Sequence, residues 1–194
     1  MICKIMFFAV IKRGHDCLMA SGLGVAAGIK NPIAGDVTAM MNSIAAAKSP
    51  GNSSIETGRS IPPAIPFHAI LRGFVDNFGR SHPNYHYENL WELLGLYQKI
   101  GLQNTAVIAD ADHNNSGKGC LEQIRICKDA MHSRALSSDI RGLVKGLMVR
   151  SYLENGCQKP GEGVYGQVHH RPVPGLGKDK GTDLQAGRVL KDVH

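Results

Sequence analysis

Residues 105–118, TAVIADADHNNSGK, join a buried strand to a loop rich in reactive side chains. Residues 106–109 form an apolar run that is typical of a strand buried on both faces, as in a parallel sheet. The run is followed directly by Asp110, Asp112 and His113. Because α/β enzymes place their reactive groups at the carboxyl ends of parallel strands, this segment predicts an α/β fold with a site in this loop.

The same alternation of strand and helix recurs along the chain. Further apolar runs at residues 24–30, 68–73 and 143–149 predict strands, and residues 37–47 and 89–100 predict helices. Residues 120–134 predict a helix whose buried stripe is Leu121, Ile124, Cys127 and Met131. These units predict a partial (β/α)8 barrel, because a complete one takes roughly 250 residues.

Composition narrows the class of protein. The chain has 194 residues, 43% of them hydrophobic, and a net charge of +6. Because it shows no basic helix and no nucleic-acid motif, we expect no nucleic-acid partner despite the positive charge. The 5 cysteines form no CxxC pair, which indicates a reducing, cytoplasmic setting. The apolar run near the amino terminus is too short to span a membrane, and we expect no membrane association.

Three side chains stand out as candidates for chemistry. Lys30 and Arg72 each end a predicted strand, so a barrel would direct both cations into one pocket, which suits phosphate or carboxylate. The alternative is that each is a solvated strand terminus. His113 follows two aspartates and suits a metal ligand or a general acid–base group, although a single histidine is more often structural. These residues alone indicate an anion-binding α/β protein of unknown reaction.

Longer motifs carry a resemblance to a known family. The segments GIKNPIAGDVTAMMNSIAAA, HAILRGF, PNYHYENL, AVIADADHNNSGK, LEQIRICKDAMHSR and LVKGLMVRSYLENGCQK follow one another along the chain. In this order and spacing they resemble type I 3-deoxy-7-phosphoheptulonate (DAHP) synthases, transferases of the class EC 2.5.1.54. The resemblance implies a (β/α)8 barrel, of which this chain corresponds to the carboxyl-terminal half. It also implies condensation of phosphoenolpyruvate with erythrose 4-phosphate, the first step towards chorismate and the aromatic amino acids.

The resemblance assigns expected roles to the candidates. Lys30 matches the family lysine that holds phosphoenolpyruvate, and Arg72 matches the arginine that binds its phosphate. His113 matches a metal ligand near the reacting carbons, and the metal is a divalent ion of the Mn, Fe, Zn or Co class. Lys30 and His113 are therefore the expected catalytic residues. A metal-binding glutamate of the family falls on Arg150 here, and the other family ligands are absent. We therefore expect weak metal binding and little or no activity, because the motifs of the first half of the barrel are missing and its end strands would be open edges.

Two other functions are compatible with the same residues. One is a non-catalytic fragment that associates with an intact homologue or forms a homo-oligomer. Another is a relative of the synthase that makes the eight-carbon Kdo phosphate, which shares the barrel but lacks the HxNSxK loop.

Two stretches depart from the family pattern. We divide the chain into an unassigned segment 1–19, a partial barrel 20–166 with an aberrant stretch 51–67, and an aberrant tail 167–194 that is expected to be disordered. Both aberrant stretches are predicted to be frameshifted coding sequence, because shifted reading frames can restore family-like segments there. The alternative is an ordinary flexible loop and a disordered tail.

Overall fold

A computed structural model describes residues 27–48, 67–102, 104–119 and 121–150, together with positions 158, 162 and 165. The elements in chain order are β1 (Ala27–Lys30), α1 (Val37–Lys48), β2 (Phe67–Leu71), β3 (Phe74–Val75), β4 (Ser81–His82), α2 (Tyr87–Ile100), β5 (Val107–Asp110), α3 (Glu122–Leu136), α4 (Ser138–Leu143) and β6 (Val144–Met148). The expected alternation of strands and helices is therefore confirmed for the described part of the chain.

Four of the strands form a parallel sheet in the order β1-β2-β5-β6. Lys30 of β1 is paired with Ile70 of β2, and Asp110 of β5 with Met148 of β6. This register brings the carboxyl ends of all four strands to one edge. The loops that follow the strands consequently lie side by side, as the sequence predicts for a piece of a βα barrel.

The helices cover one face of the sheet and form the main core. Met41 and Ile44 of α1 and Leu90 and Leu93 of α2 are buried against residues of the strands and of α4. Tyr97 is fully buried, and its hydroxyl donates a hydrogen bond to the Ala106 carbonyl at 2.9 Å. Burial raises the pKa of Tyr97 to about 12. The phenol therefore links α2 to the segment that enters β5, just upstream of the candidate site.

Local signals set the helix ends. The Asp36 carboxylate accepts the Ala39 backbone N–H at 2.9 Å and so caps α1, as expected of an aspartate before a helix. Gly101 ends α2 in the left-handed conformation with φ of 73°. α2 begins at Tyr87 rather than at the predicted residue 89, and its buried residues are Leu90, Leu93, Leu94 and Tyr97.

The predicted stripe of α3 is wrong in part. Leu121 precedes the helix and is 71% exposed, and the buried face consists of Gln123, Ile126, Cys127, Ala130 and Ser133. Of the four residues in the predicted stripe, only Cys127 belongs to this face. The predicted apolar period therefore starts at Leu121, a residue that lies outside the helix. The true face includes two polar side chains that find hydrogen-bond partners, which an apolar pattern does not reveal.

A short hairpin that was not expected follows β2. β3 and β4 pair antiparallel, and the Val75 N–H donates to the Ile33 carbonyl at 2.8 Å, which joins the hairpin to the loop after β1. Asp76 organises the turn by accepting the backbone N–H groups of Phe78 and Arg80. These strands have two residues each, which is too short to show an alternating pattern in the sequence.

Several expectations fall outside the described residues. These are the segment 1–19, the aberrant stretch up to residue 66 and the tail from 167 onward. Among the residues that the structure describes, no helix is long and apolar enough to cross a membrane.

Candidate active site

The site is centred on a buried ion pair between two strands that are not neighbours. Lys30 ends β1 and Asp110 ends β5, with β2 between them in the sheet. The Lys30 ammonium lies 2.8 Å from the Asp110 carboxylate, and the two side chains are 8% and 1% exposed. A charge this well buried needs a partner, and each residue supplies it for the other. Because an ammonium has three N–H donors, Lys30 keeps donors for a further ligand.

His113 approaches the same carboxylate from the loop after β5. Its Nδ1 lies 2.8 Å from Asp110 Oδ2, and its side chain is 17% exposed. Burial alone would raise the pKa of Asp110, but the contact with His113 and the charge of Lys30 outweigh it, and the pKa lies below its ordinary value. Asp110 is therefore an anion that holds a lysine and a histidine together at the edge of the sheet.

The backbone of this loop is tightly turned. His113 and Lys118 have positive φ of 54° and 70°. For residues with side chains this conformation is uncommon and is often found at functional sites. Here it places the His113 imidazole over Asp110 while Asn115 turns back towards the sheet.

Asp112 connects the site to the end of β6. Its side chain is 3% exposed, and Oδ2 lies 3.9 Å from His113 Nδ1 and 3.6 Å from a guanidinium nitrogen of Arg150. The Arg150 backbone is fixed by the Gln123 carboxamide, which accepts its N–H at 2.8 Å and donates to its carbonyl at 3.1 Å. Arg150 thus brings a permanent positive charge to the carboxylate beside His113.

The described residues do not fit a divalent metal. No group of three histidine, cysteine, aspartate or glutamate side chains within the described ranges could hold one. Protein metal sites of this class use three or four such ligands. Of the nearest carboxylates, Asp110 is engaged by Lys30 and Asp112 is approached by Arg150. The Arg150 guanidinium, 3.6 Å from the Asp112 carboxylate, would repel a metal cation from this carboxylate.

The structure brings the predicted residues to one edge. Lys30 and His113 meet at Asp110, and Arg72 follows β2, which is hydrogen-bonded between the strands that carry them. The arginine side chain is partly buried. Arg150 lies in the same cluster through Asp112.

Sequence reasoning assigned no role to Asp110. The sequence shows Asp110 as an aspartate at the end of an apolar run. It does not show the ion pair, because the partner Lys30 lies far away in the sequence. It also missed Asn31, Asn84 and Asn115, which link the loops of this edge by hydrogen bonds. Each of them is an asparagine that follows a strand or lies in a loop, and such asparagines are too common to indicate a role.

The fold and the site define a class. A parallel βα sheet whose charged side chains meet at the carboxyl ends of its strands is the arrangement of a βα-barrel enzyme. Comparison with known proteins narrows the class further. The chain is 32% identical over 161 residues to a phospho-2-dehydro-3-deoxyheptonate aldolase of Haemophilus influenzae. It is 29% identical over 169 residues to the protein of the same name from Corynebacterium glutamicum.

A solved structure agrees with these relatives. The phospho-2-dehydro-3-deoxyheptonate aldolase of Francisella tularensis matches with a TM-score of 0.70 and 26% identity, over 91% of this chain and 49% of that one. No family model matches the chain. The two curated relatives are matched over 41% and 42% of their length, so this chain spans less than half of each. In sequence and in fold the chain is therefore similar to these aldolases, which are the DAHP synthases.

Proposed function

We propose that this chain carries the phosphoenolpyruvate-binding part of a DAHP synthase-type site. Lys30 and Arg72 would bind the carboxylate and phosphate of the substrate, and His113 would lie beside the reacting carbons. The observation that carries this proposal is the buried Lys30–Asp110 pair, with His113 on the same carboxylate. The matches to DAHP synthases support the choice of substrate.

The charges favour an anionic ligand at this edge. Lys30, Arg72 and Arg150 bring three positive charges, whereas Asp110 and Asp112 bring two negative ones. A trianionic substrate is stabilised by such an excess, and ammonium and guanidinium groups are the usual partners of phosphate. Burial of Lys30 strengthens its attraction because water screens it poorly.

The reaction of the family would join phosphoenolpyruvate, erythrose 4-phosphate and water to give DAHP and inorganic phosphate. We propose that this chain alone performs it weakly or not at all. It spans less than half of its curated relatives, and Arg150 lies against Asp112, next to the histidine that would hold a metal. The family's divalent cation would normally polarise the aldehyde of the second substrate.

Calorimetric titration of the purified chain with phosphoenolpyruvate tests the binding step. We expect saturable binding that Arg72→Gln weakens about 10- to 100-fold, the effect of losing one charge-assisted contact. Lys128→Met is the matched control, since it removes an exposed charge of α3. It should leave affinity unchanged. A folded chain that does not bind phosphoenolpyruvate contradicts the proposal.

A phosphate-release assay with both substrates tests the second step. We expect a rate far below that of a full-length relative measured in parallel. A rate close to that of the full-length enzyme would show that this chain is a complete catalyst and would refute the proposed impairment.

A further inference from the structure

Three buried asparagines join the loops at the carboxyl edge of the sheet. Asn31, Asn84 and Asn115 are 1%, 5% and 4% exposed and come from the loops after β1, β4 and β5. We call these three residues the asparagine clamp. Asn84 bridges the other two: its backbone N–H donates to Asn115 Oδ1 at 2.9 Å and its Nδ2 to Asn31 Oδ1 at 3.3 Å.

The clamp binds consecutive backbone groups around Arg72. Asn115 donates to the Leu71 carbonyl at 2.9 Å, and Asn31 accepts the Arg72 N–H at 2.9 Å. The Gly73 carbonyl accepts from Asn31 at 2.9 Å, and the Gly73 N–H donates to Asn84 at 2.7 Å. The backbone on both sides of the candidate phosphate-binding arginine is therefore fixed by side chains of three other loops.

The clamp also holds the loop that carries His113. Asn115 uses its second N–H to bind the Asp110 carbonyl at 2.7 Å. Asn31 adjoins Lys30 in the chain. One network thus connects the backbone at Lys30, Arg72 and Asp110, the three positions where charged side chains leave the sheet.

Only a carboxamide suits positions 31 and 115. Both Nδ2 hydrogens of Asn31 and of Asn115 are used, and each Oδ1 accepts a backbone N–H. Aspartate lacks the donors, and an apolar residue would leave buried backbone groups unsatisfied, which is costly.

We propose that the asparagine clamp is a positioning device that sets Arg72 against Lys30 for binding of a phosphorylated carboxylate. The three residues do not touch the substrate; they act through Arg72 and Asp110. This inference rests on the proposed function. It adds that affinity depends on buried amides as well as on the charged groups that they orient.

A double-mutant cycle tests whether Asn31 acts through Arg72. The variants are Asn31→Ala, Arg72→Met and the double variant, and each is titrated with phosphoenolpyruvate. We expect Asn31→Ala to weaken binding about 10-fold in the wild-type background, as buried supporting residues do. In the Arg72→Met background it should have less than about a 2-fold effect. Equal effects in both backgrounds would overturn the inference.

Loss of stability must be separated from loss of positioning. Ile140→Ala is the control, because Ile140 is fully buried in the helical core. At a temperature where circular dichroism shows both variants folded, the control should bind like the wild type. If Ile140→Ala weakens the binding of phosphoenolpyruvate as much as Asn31→Ala does, the effect comes from a general loss of stability and the inference is overturned.

A second variant covers the case in which Asn31→Ala fails to fold. Asn84→Ala removes the acceptor of the Gly73 N–H but keeps the backbone bond from Asn84 to Asn115. Amide hydrogen exchange should then speed up at Gly73 and Arg72, with weaker binding of phosphoenolpyruvate. Unchanged affinity in folded Asn84→Ala despite faster exchange would overturn the inference. A wild-type chain that does not bind phosphoenolpyruvate would refute the proposed function and this inference together.

Discussion

Lys30 and Asp110 form an ion pair across an intervening strand, with 2.8 Å between the ammonium nitrogen and Oδ2 and almost no exposure of either side chain. Lys30→Met should leave Asp110 as a buried charge without its main cation. We expect this to lower the free energy of unfolding by about 3–5 kcal/mol, measured by urea denaturation. Lys30→Met/Asp110→Asn should recover part of the loss. A double variant less stable than Lys30→Met would contradict this account.

The same carboxylate should shape the stability at low pH. The pKa of Asp110 lies below its ordinary value in the folded chain, so folding favours the ionised form. The contribution of Asp110 to the free energy of unfolding is complete above the ordinary aspartate pKa of about 4. It is lost as the pH falls through the lower pKa that Asp110 has in the folded chain. Urea midpoints measured from pH 6 down to pH 2 should therefore fall less steeply in Asp110→Asn than in the wild type.

The control for this pH effect is Glu92→Gln, which neutralises an exposed carboxylate of α2. It should leave the slope close to that of the wild type. If Asp110→Asn keeps the full acid slope, the lowered pKa of Asp110 does not contribute to stability in the way described.

Gly73 should tolerate no side chain. It has φ of 72°, and a Cβ there would lie 2.6 Å from the Asn115 backbone nitrogen. Gly79 has a similar φ of 78° in the hairpin turn but no atom within 4 Å of a Cβ. Gly79→Ala should therefore lower the free energy of unfolding by about 1 kcal/mol, through backbone strain alone. Gly73→Ala should lower it by about 1–3 kcal/mol more, because of the steric overlap. If thermal or urea unfolding shows the same loss of stability in Gly73→Ala and Gly79→Ala, the steric overlap at position 73 is relieved and the prediction is wrong.

The sequence predicted the sheet well because its strands are short apolar runs bounded by polar loops. It placed Lys30, Arg72 and His113 at one edge through the geometry of parallel strands alone. It did not predict that Asp110 joins Lys30 to His113, because that contact depends on residues far apart in the chain. The asparagine clamp was missed for the same reason. The predicted face of α3 is wrong in part because its buried polar residues, Gln123 and Ser133, have hydrogen-bond partners that only the fold supplies.

Arg150 should determine whether the site takes a divalent cation. In the wild type we expect no stoichiometric micromolar binding of Mn²⁺ or Zn²⁺, because a guanidinium lies 3.6 Å from Asp112 beside His113. Arg150→Glu replaces that cation with a carboxylate, so that three donors lie close together, and it should create measurable binding in calorimetry.

The controls separate charge from ligation. Arg150→Gln removes the positive charge without adding a carboxylate and should bind far more weakly than Arg150→Glu. Adding His113→Ala to Arg150→Glu should abolish the gain. Tight, His113-dependent metal binding by the wild-type chain would refute the expectation.

The coding DNA should show that the two aberrant stretches are frameshifted. Plausible codons for residues 167–177, read one base later, spell RSITDPCLGW, which resembles the family segment that follows a tyrosine and glycine such as Tyr165 and Gly166. Between Pro50 and Phe67 the other shifted frame yields QFIYRDWEVNTSGNPL, again family-like. The second base of each codon is nearly fixed by the amino acid and becomes an outer base of each shifted codon. The choice of synonymous bases accounts for part of this agreement, but chance does not readily account for agreement over two stretches of this length. Sequencing the gene should reveal SITDPCLGW and FIYRDWEV in the shifted frames, and their absence from those frames would refute the frameshift.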